Sequence, residues 1–599
     1  MPYRMNPYQN KIEYFQSGVW PWVILGGLLL LALLVALLVA VLLLPPISLL
    51  SRLDPSYTQV SLEGNTLRDA DGMQLTFLPE DVERPFRVKL SGVPRNLFLE
   101  GAVDDNLLAA ASSIPGHLVM KSPFYQIQRR GPIPKRVTLS VPIPNEAEPY
   151  RTLDLYTWNG EAWAWLPGRV IAAEGVIESN LDFLPDSVVV MQTHALNPNV
   201  AATFLPDQIL PENFRGSPLE INPQGLYLEA EGLIAGTPSP LPNDLLNGSF
   251  TIIPTLRNWA DDSSIRSDLI DNLLIDDEAR QRHITTIVNL VRENGYHGIE
   301  LDYRGISPDL RPEYTSFLEE LRAALPPERR LVVRVELPQQ LSGDAWDSGA
   351  YDWQAIGQVA DVVKVPTLPD PKAYAPQGQM AALLDWAVGQ VSRYKLQLLL
   401  SSRSVEQTNG QSRELGYQES LAALGTVAVG SGATTVEPDQ PLEFTLSGLP
   451  TGAEVQFDVD SGLYRLAFPT DANGQRVIYL ENAASVARKL QFVAQYNLRG
   501  VSVQNLFDPN EDPQIREVVR RFLDLALSPV VGQHALIWHV KNQEGGLIAE
   551  EIVDLTNPTF RWTTPAAAGT YEVIASISPN HNPATATPLG SLSVVVSGP

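Results

Sequence analysis

Cysteine is absent from this chain of 599 residues, so neither disulfides nor thiolate chemistry can contribute. Histidine is scarce: seven residues, none spaced as a pair of metal ligands, so no metal site is expected. Positive charge is also in short supply. Against 68 Asp and Glu there are 43 Lys and Arg, a formal net charge of -25. Phosphate backbones need clustered Lys and Arg, so nucleic acid is excluded as a partner, and the surface is soluble and self-repelling. No glycine-rich phosphate loop opens any helical segment, and no cofactor is expected.

What the chain does have begins with one long apolar run. No charged residue occurs from Tyr14 to Ser51. Within that span, "WVILGGLLLLALLVALLVAVLLL" (22–44) would extend roughly 34 Å as a helix, against a hydrocarbon core of about 30 Å. Trp20 and Trp22 suit a membrane interface, and Pro45 and Pro46 end the helix. One N-terminal transmembrane helix is therefore expected over 19–46. The alternative is a cleaved signal peptide, which would have a shorter apolar region and a small-residue cleavage site. Arg4 and Lys11 outweigh Glu13 in the tail, so residues 1–18 are expected in the cytoplasm. The bulk of the chain is then extracellular, with single-pass membrane attachment.

Beyond the helix, periodicity divides the chain. Residues 55–197 read as all-β, with "KRVTLSVPIP" alternating and "LDLYTWNGEAWAWLPG" forming a hairpin about Asn159-Gly160. Trp158, Trp163 and Trp165 either pack across that hairpin or stack on sugars. The pattern resembles a ZU5-type β-sandwich, which implies a scaffold. Residues 198–222 read as a Pro- and Asn-containing linker. From 223 to 527 short apolar strands alternate with amphipathic helices, which predicts a parallel sheet in an α/β fold. The length suits a (β/α)8 TIM-type barrel, with an insertion at about 430–480 between the seventh strand and its helix. A doubly wound open sheet is the other possibility. Residues 530–599 alternate at period two and resemble an immunoglobulin- or fibronectin-like module, which implies a spacer or adhesion unit.

The segment "NGYHGIELDYRGI" resembles the fourth-strand signature of glycoside hydrolase family 18, the chitinase family, and its spore-germination, peptidoglycan-directed members in particular. "SDLIDNLLIDDEARQRHITTIVNLVRENGYHGIELDY" and "RVIYLENAASVARKLQFVAQYNLRGVSVQNLFD" extend the likeness over roughly 223–527. The family signature is D-x-x-D-x-D-x-E, and its last residue is the proton donor. Those positions here hold His297, Glu300, Asp302 and Arg304. Glu300, Asp302 and Arg304 alternate onto one face of the strand.

The resemblance implies a reaction in which the substrate's acetamido group is the nucleophile and one carboxylic acid is indispensable. Arginine stays protonated and does not donate at useful rates. Loss of general acid catalysis costs about 100- to 10,000-fold. The family's acetamido-holding Tyr and its Asp neighbour are replaced by Leu368 and Pro369, and the Trp under the sugar by Gln504. No catalytic residue is therefore assigned with assurance. Glu300 and Asp302 remain as a residual motif, and Glu336 is a candidate replacement acid. At the strand ends, Arg257, Trp259, Arg304 and Arg403 are candidate ligand-binding residues with Gln504, the guanidinium forks suiting carboxylates and Trp259 serving as stacking platform; Asp261 and Asp262 stand at the same strand end as Trp259. The other reading pairs each Arg with a local acid. The expected function is a membrane-anchored, catalytically degenerate carbohydrate-binding or scaffold protein, its partners a chitin-like or peptidoglycan glycan and surface proteins met through the β-domains. The alternative is an active glycosidase of the N-acetylglucosaminidase or chitinase type using Glu336.

Overall fold

The computed structural model describes residues 56–598 apart from 102–104, 206–207, 242–249, 261–263, 344, 471–473, 525–532 and 580, together with 26–28 and 30–37. Residues 26–28 and 30–37 are helical and exposed, from Leu28 to Leu37. The remainder of the expected 19–46 span, and the tail 1–18, lie outside the described residues. Among the described residues no helix is long and apolar enough to cross a membrane.

The fold is mixed α/β. Its largest sheet joins, by parallel pairing, strands Asn199–Phe204, Leu219–Pro223, Thr251–Ile252 with Thr255–Arg257, Gly298–Asp302, Arg330–Arg334, Val362–Pro366, Leu396–Ser401 and Gly500–Gln504. The last of these returns to pair with the first, Asn199 opposite Gly500. Residues 251–257, broken at Pro254, pair with the second strand in their first half and the fourth in their second. Segment 198–222, expected as a linker, thus carries the first strand and most of the second. Their sequences, "NVAATF" and "LEINP", are too short and too polar to announce a strand alone; burial inside the curled sheet supplies what propensity does not.

The helices follow from their sequences. Asp276 caps Asp277–Glu293 by accepting N–H groups of Glu278 and Ala279, Ile284, Ile287 and Val291 form the buried stripe, and Gly295 follows the helix at φ +67°. Pro312 starts Arg311–Ala324, whose Tyr314, Phe317, Leu318 and Leu321 face the core. Gly298 opens the fourth strand because a Cβ there would collide with the Arg330 carbonyl.

The N-terminal unit is two sheets enclosing a core that includes Leu75, Val88, Leu139 and Val190. Its hairpin turns through 159–162, where the Asn159 side chain accepts N–H groups of Glu161 and Ala162 and only Gly160 has positive φ, +99°. Trp158 and Trp163 lie 5.6 Å apart, and Trp163 Nε1 donates to the Ala110 carbonyl. Trp158, Trp163 and Trp165 all pack on one apolar cluster with Phe98 and Phe124, so packing is what these residues do in the structure.

The inserted segment is longer than 430–480. Its antiparallel sheet starts at Ser404–Thr408, directly after the seventh strand. Its strands Val427–Val429 and Pro441–Leu446 join Phe560–Thr563, and Thr435–Val436 pairs with Thr587–Val596. One core contains Phe444 and Tyr464 together with Trp538 and Val573. Residues 530–599 are therefore completed by strands from the insertion and do not form an isolated module.

Candidate active site

The fourth strand sorts its side chains by alternation. Ile299, Leu301 and Tyr303 are wholly buried against the helices, with the Tyr303 hydroxyl 2.6 Å from His283 Nε2. Glu300, Asp302 and Arg304 point to the other face. There Lys364 of the sixth strand donates to Glu300 Oε2 at 2.8 Å and to Asn222 Oδ1 of the second strand at 2.9 Å. Thr255 of the third strand also donates to Glu300 Oε2, at 3.0 Å. In a flat sheet the second and sixth strands would stand about 19 Å apart, at 4.8 Å per spacing. One ammonium group bridges them because the sheet curls and these side chains fill its interior.

Glu300 and Asp302 are both buried, but their protonation is pushed in opposite directions. Burial raises the Glu300 carboxyl above its ordinary value, with Lys364 opposing. Burial also works to raise Asp302, but the Arg334 and Arg304 guanidinium groups overcome it and hold Asp302 below its ordinary value. Arg304 is bidentate, Nε to Oδ1 at 2.9 Å and Nη2 to Oδ2 at 2.8 Å. Arg334, at the end of the fifth strand, donates Nη1 to Oδ1 at 2.8 Å. Sequence reasoning missed Arg334, although "RLVVRVE" puts its side chain on the strand face opposite Val333 and Val335.

Asn258 fixes the backbone of Arg304, accepting its N–H at 2.9 Å and donating to its carbonyl at 2.8 Å. The Arg304 guanidinium carbon lies 3.6 Å from the Trp259 ring centroid, and that of Arg257 lies 4.3 Å from it. Arg257 also donates to the Tyr227 hydroxyl at 3.2 Å. Arg257, Trp259 and Arg304 do converge. Trp259, expected as a platform for sugar, is instead seated against the two guanidinium groups.

Arg403 does not join that stack. It lies 3.5 Å from Asp508 and 3.6 Å from Glu511, both beyond the eighth strand, so the local-acid reading fits this residue. Gln504 ends the eighth strand, paired by backbone with Ser401, and its carbonyl accepts the Ser402 N–H. Leu368 follows the sixth strand, its carbonyl accepting the Tyr374 hydroxyl at 2.6 Å. His297 is exposed at the opposite end of its strand, where Nδ1 accepts the Ile252 N–H. Asp261 and Asp262 lie outside the described residues. Glu336 is half-buried, and its Oε1 accepts the Gly305 N–H at 3.1 Å, one residue beyond Arg304. Among the described residues no group of three or more metal-ligating side chains comes together.

Residues 258–508 match the model of glycosyl hydrolases family 18. Over 246 residues the chain is 24% identical to an uncharacterized glycosylase of Bacillus subtilis (strain 168), covering 41% of this chain and 67% of that protein. Over 310 residues it is 22% identical to a cortical fragment-lytic enzyme of the same organism, covering 49% and 68%. Among solved structures, a chitinase from Chromobacterium violaceum aligns with 54% of this chain and 99% of its own, at 19% identity and TM-score 0.42. The Bacillus cereus spore cortex-lytic enzyme SleL aligns with 58% and 77%, at 16% identity and TM-score 0.41.

Proposed function

We propose, starting from the glycosyl hydrolase family 18 domain that residues 258–508 form, that this protein binds a cell-wall glycan at the mouth of a (β/α)8 barrel and does not hydrolyse it. The observation that carries the reading is the double clamp on Asp302. Its carboxylate is held as an anion by Arg304 and Arg334, and the next inward position is itself the arginine. A carboxylate fixed in this way does not supply the proton that a leaving glycosidic oxygen needs.

The same arrangement favours a ligand. Arg304 and Arg334 hold Asp302 between them, and Arg257 lies against the same indole as Arg304, on a chain that is otherwise strongly acidic. Guanidinium forks recognise carboxylates and carbonyl oxygens. The ligand class is thus an N-acetylated glycan that bears carboxylates, such as peptidoglycan with its peptide stems. One Bacillus relative is named a cortical fragment-lytic enzyme, which fits a cell-wall ligand. The apolar run 22–44 would hold the protein at the membrane facing that wall, and the flanking β-units would space it or meet other surface proteins.

The test is calorimetric titration of residues 52–599 with soluble peptidoglycan fragments, with mass analysis of the products. Binding with intact fragments is expected, and the double change Arg257→Ala, Arg304→Ala should weaken it by more than about 100-fold, from charge-assisted hydrogen bonds of about 1.5–3 kcal/mol each. Unchanged affinity in the double variant would sink the site. A second reading, hydrolysis with Glu336 as acid, is favoured by one contact, the Gly305 N–H that aims the Glu336 carboxyl at the mouth. Cleaved fragments that become intact with Glu336→Gln would establish it.

A further inference from the structure

Away from the mouth, a cavity of about 790 Å³ lies between the N-terminal sandwich and the helix Gln379–Gln390. That volume is within the range of about 300–1,000 Å³ usual for small-molecule sites. Two half-buried indoles line it. Trp386 comes from the helix, and Trp346 from the hairpin Gln339–Ser342/Ala345–Asp347 that follows the fifth strand. Their centroids are 5.9 Å apart, with the rings inclined at 31°. The buried Trp353 meets Trp386 edge-on at 4.8 Å and fixes its orientation.

The rim is polar and balanced in charge: Glu148 and Asp385 against Arg151 and Arg169. Tyr496 holds one member of each sign. Its hydroxyl donates to Asp385 Oδ1 at 2.8 Å, and its ring lies 5.4 Å from the Arg151 guanidinium carbon. Arg151 also reaches Gln495 Oε1 at 3.4 Å.

The walls are locked together. Arg393 is wholly buried and donates to both Asp154 oxygens, at 2.8 and 2.6 Å, and to the carbonyls of Arg151, Leu153 and Tyr496. The Gly168 N–H donates to the Gly389 carbonyl at 3.1 Å. The cleft therefore exists before any ligand arrives, and binding does not have to order it.

We propose that this cleft is a second saccharide site, which takes an uncharged stretch of glycan across Trp346 and Trp386. Indole faces pack on the C–H faces of sugar rings, and the paired rim charges offer donors and acceptors to hydroxyl and acetamido groups without favouring a charged ligand. The contrast with the mouth is one of arrangement: at the mouth the guanidinium groups of Arg257 and Arg304 lie on the Trp259 ring, whereas the cleft's indoles carry no such cation among the described contacts. The hairpin bearing Trp346 begins three residues after Glu336, so one loop borders both places. The choice of N-acetylglucosamine as the sugar rests on the proposed function; the location of the cleft does not.

The test is titration of residues 52–599 with a neutral tetrasaccharide of N-acetylglucosamine, read by calorimetry and by tryptophan fluorescence. Trp346→Ala should weaken binding at least tenfold, and Arg304→Ala should leave it within twofold. Trp346 is half-exposed on a hairpin, so its loss is compatible with folding; an unchanged melting temperature checks this, and Arg151→Ala provides a second variant, expected to weaken binding severalfold. Equal affinity in wild type and Trp346→Ala would overturn the proposal. So would loss of tetrasaccharide binding in Arg304→Ala, or the absence of tetrasaccharide binding in the wild type. Failure of the mouth reading looks different: stem-bearing peptidoglycan fragments would then bind equally to wild type and to the Arg257→Ala, Arg304→Ala protein.

Discussion

Two places in this molecule bring arginine and tryptophan together, and they use the ring differently. At the mouth, Arg304 and Arg257 lie on Trp259, and the guanidinium of Arg304 is also spent on Asp302. In the cleft, Trp346 and Trp386 lean toward each other beside open space, and the nearby Arg151 rests on Tyr496. A ring capped by a cation is a structural seat worth about 0.5–2 kcal/mol to the cation. A ring left facing a cavity is surface for a ligand. An aromatic residue at a strand end is thus weak evidence for sugar stacking until its faces have been accounted for.

The comparison breaks most easily at the joint that makes the cleft. Replacing Arg393 with Met removes the partner of buried Asp154 and the donor to three carbonyls. Leaving one buried charge unpaired costs about 3–5 kcal/mol. Urea unfolding should show that loss, with tetrasaccharide affinity falling and affinity for stem-bearing fragments persisting in the folded fraction. Equal loss of both affinities would mean that the two sites are not separate.

Much of the central fold was legible in the sequence. "GIELDY" alternates, the helices on either side of it carry apolar stripes, and Arg304 follows Asp302 at the spacing that puts both side chains on one face of the strand. Arg334 was not legible as a partner, because its meeting with Asp302 depends on the register between the fourth and fifth strands, Leu301 opposite Val333, and on the curl of the sheet. The first two strands were lost among polar and proline residues, since what makes them strands is pairing with residues far along the chain, Val200 with Val501 for example. The cleft was invisible for the same reason. Trp346 and Trp386 carry no motif, and only tertiary packing sets them opposite the sandwich.

A smaller effect sharpens the comparison among carboxylates near arginine. Asp302 lies between two guanidinium groups in close contact, and its folded value is depressed. Its contribution to stability is full above its unfolded value of 3.8 and is lost as pH falls through the lower folded value. Glu511 has Arg403 at 3.6 Å and shares that arginine with Asp508. Burial pushes the Glu511 carboxyl up to about 7, against the Tyr417 N–H and Arg403, which favour its anion. Between about pH 4.5 and 7 the folded protein therefore holds a proton that the unfolded chain releases, and stability falls as pH rises through that window. Buried His283, held down to about 4, contributes the opposite slope, so the comparison is between proteins: urea midpoints from pH 4.5 to 7.5 should rise more steeply, or fall less, with pH in Glu511→Gln than in the wild type. An unaltered slope would show that Arg403 holds Glu511 ionised, as the two arginines hold Asp302.

The smallest expected change comes from Glu336. In the binding reading its carboxylate does one thing, accepting the Gly305 N–H beside Arg304, and a neutral amide oxygen can accept the same bond. Glu336→Gln should then leave the fold intact and the fragments uncut. It also removes a negative charge that sits one residue from Arg304, so affinity for stem-bearing fragments should rise, by no more than a few-fold because the residue is half-exposed and screened. Tetrasaccharide affinity in the cleft should not move. The glycosidase reading expects the opposite at the mouth: wild-type protein that shortens peptidoglycan slowly, and a Gln variant that does not. Product masses after long incubation separate the two. The sign of the affinity change gives a second, independent measure of whether this mouth is organised around anions.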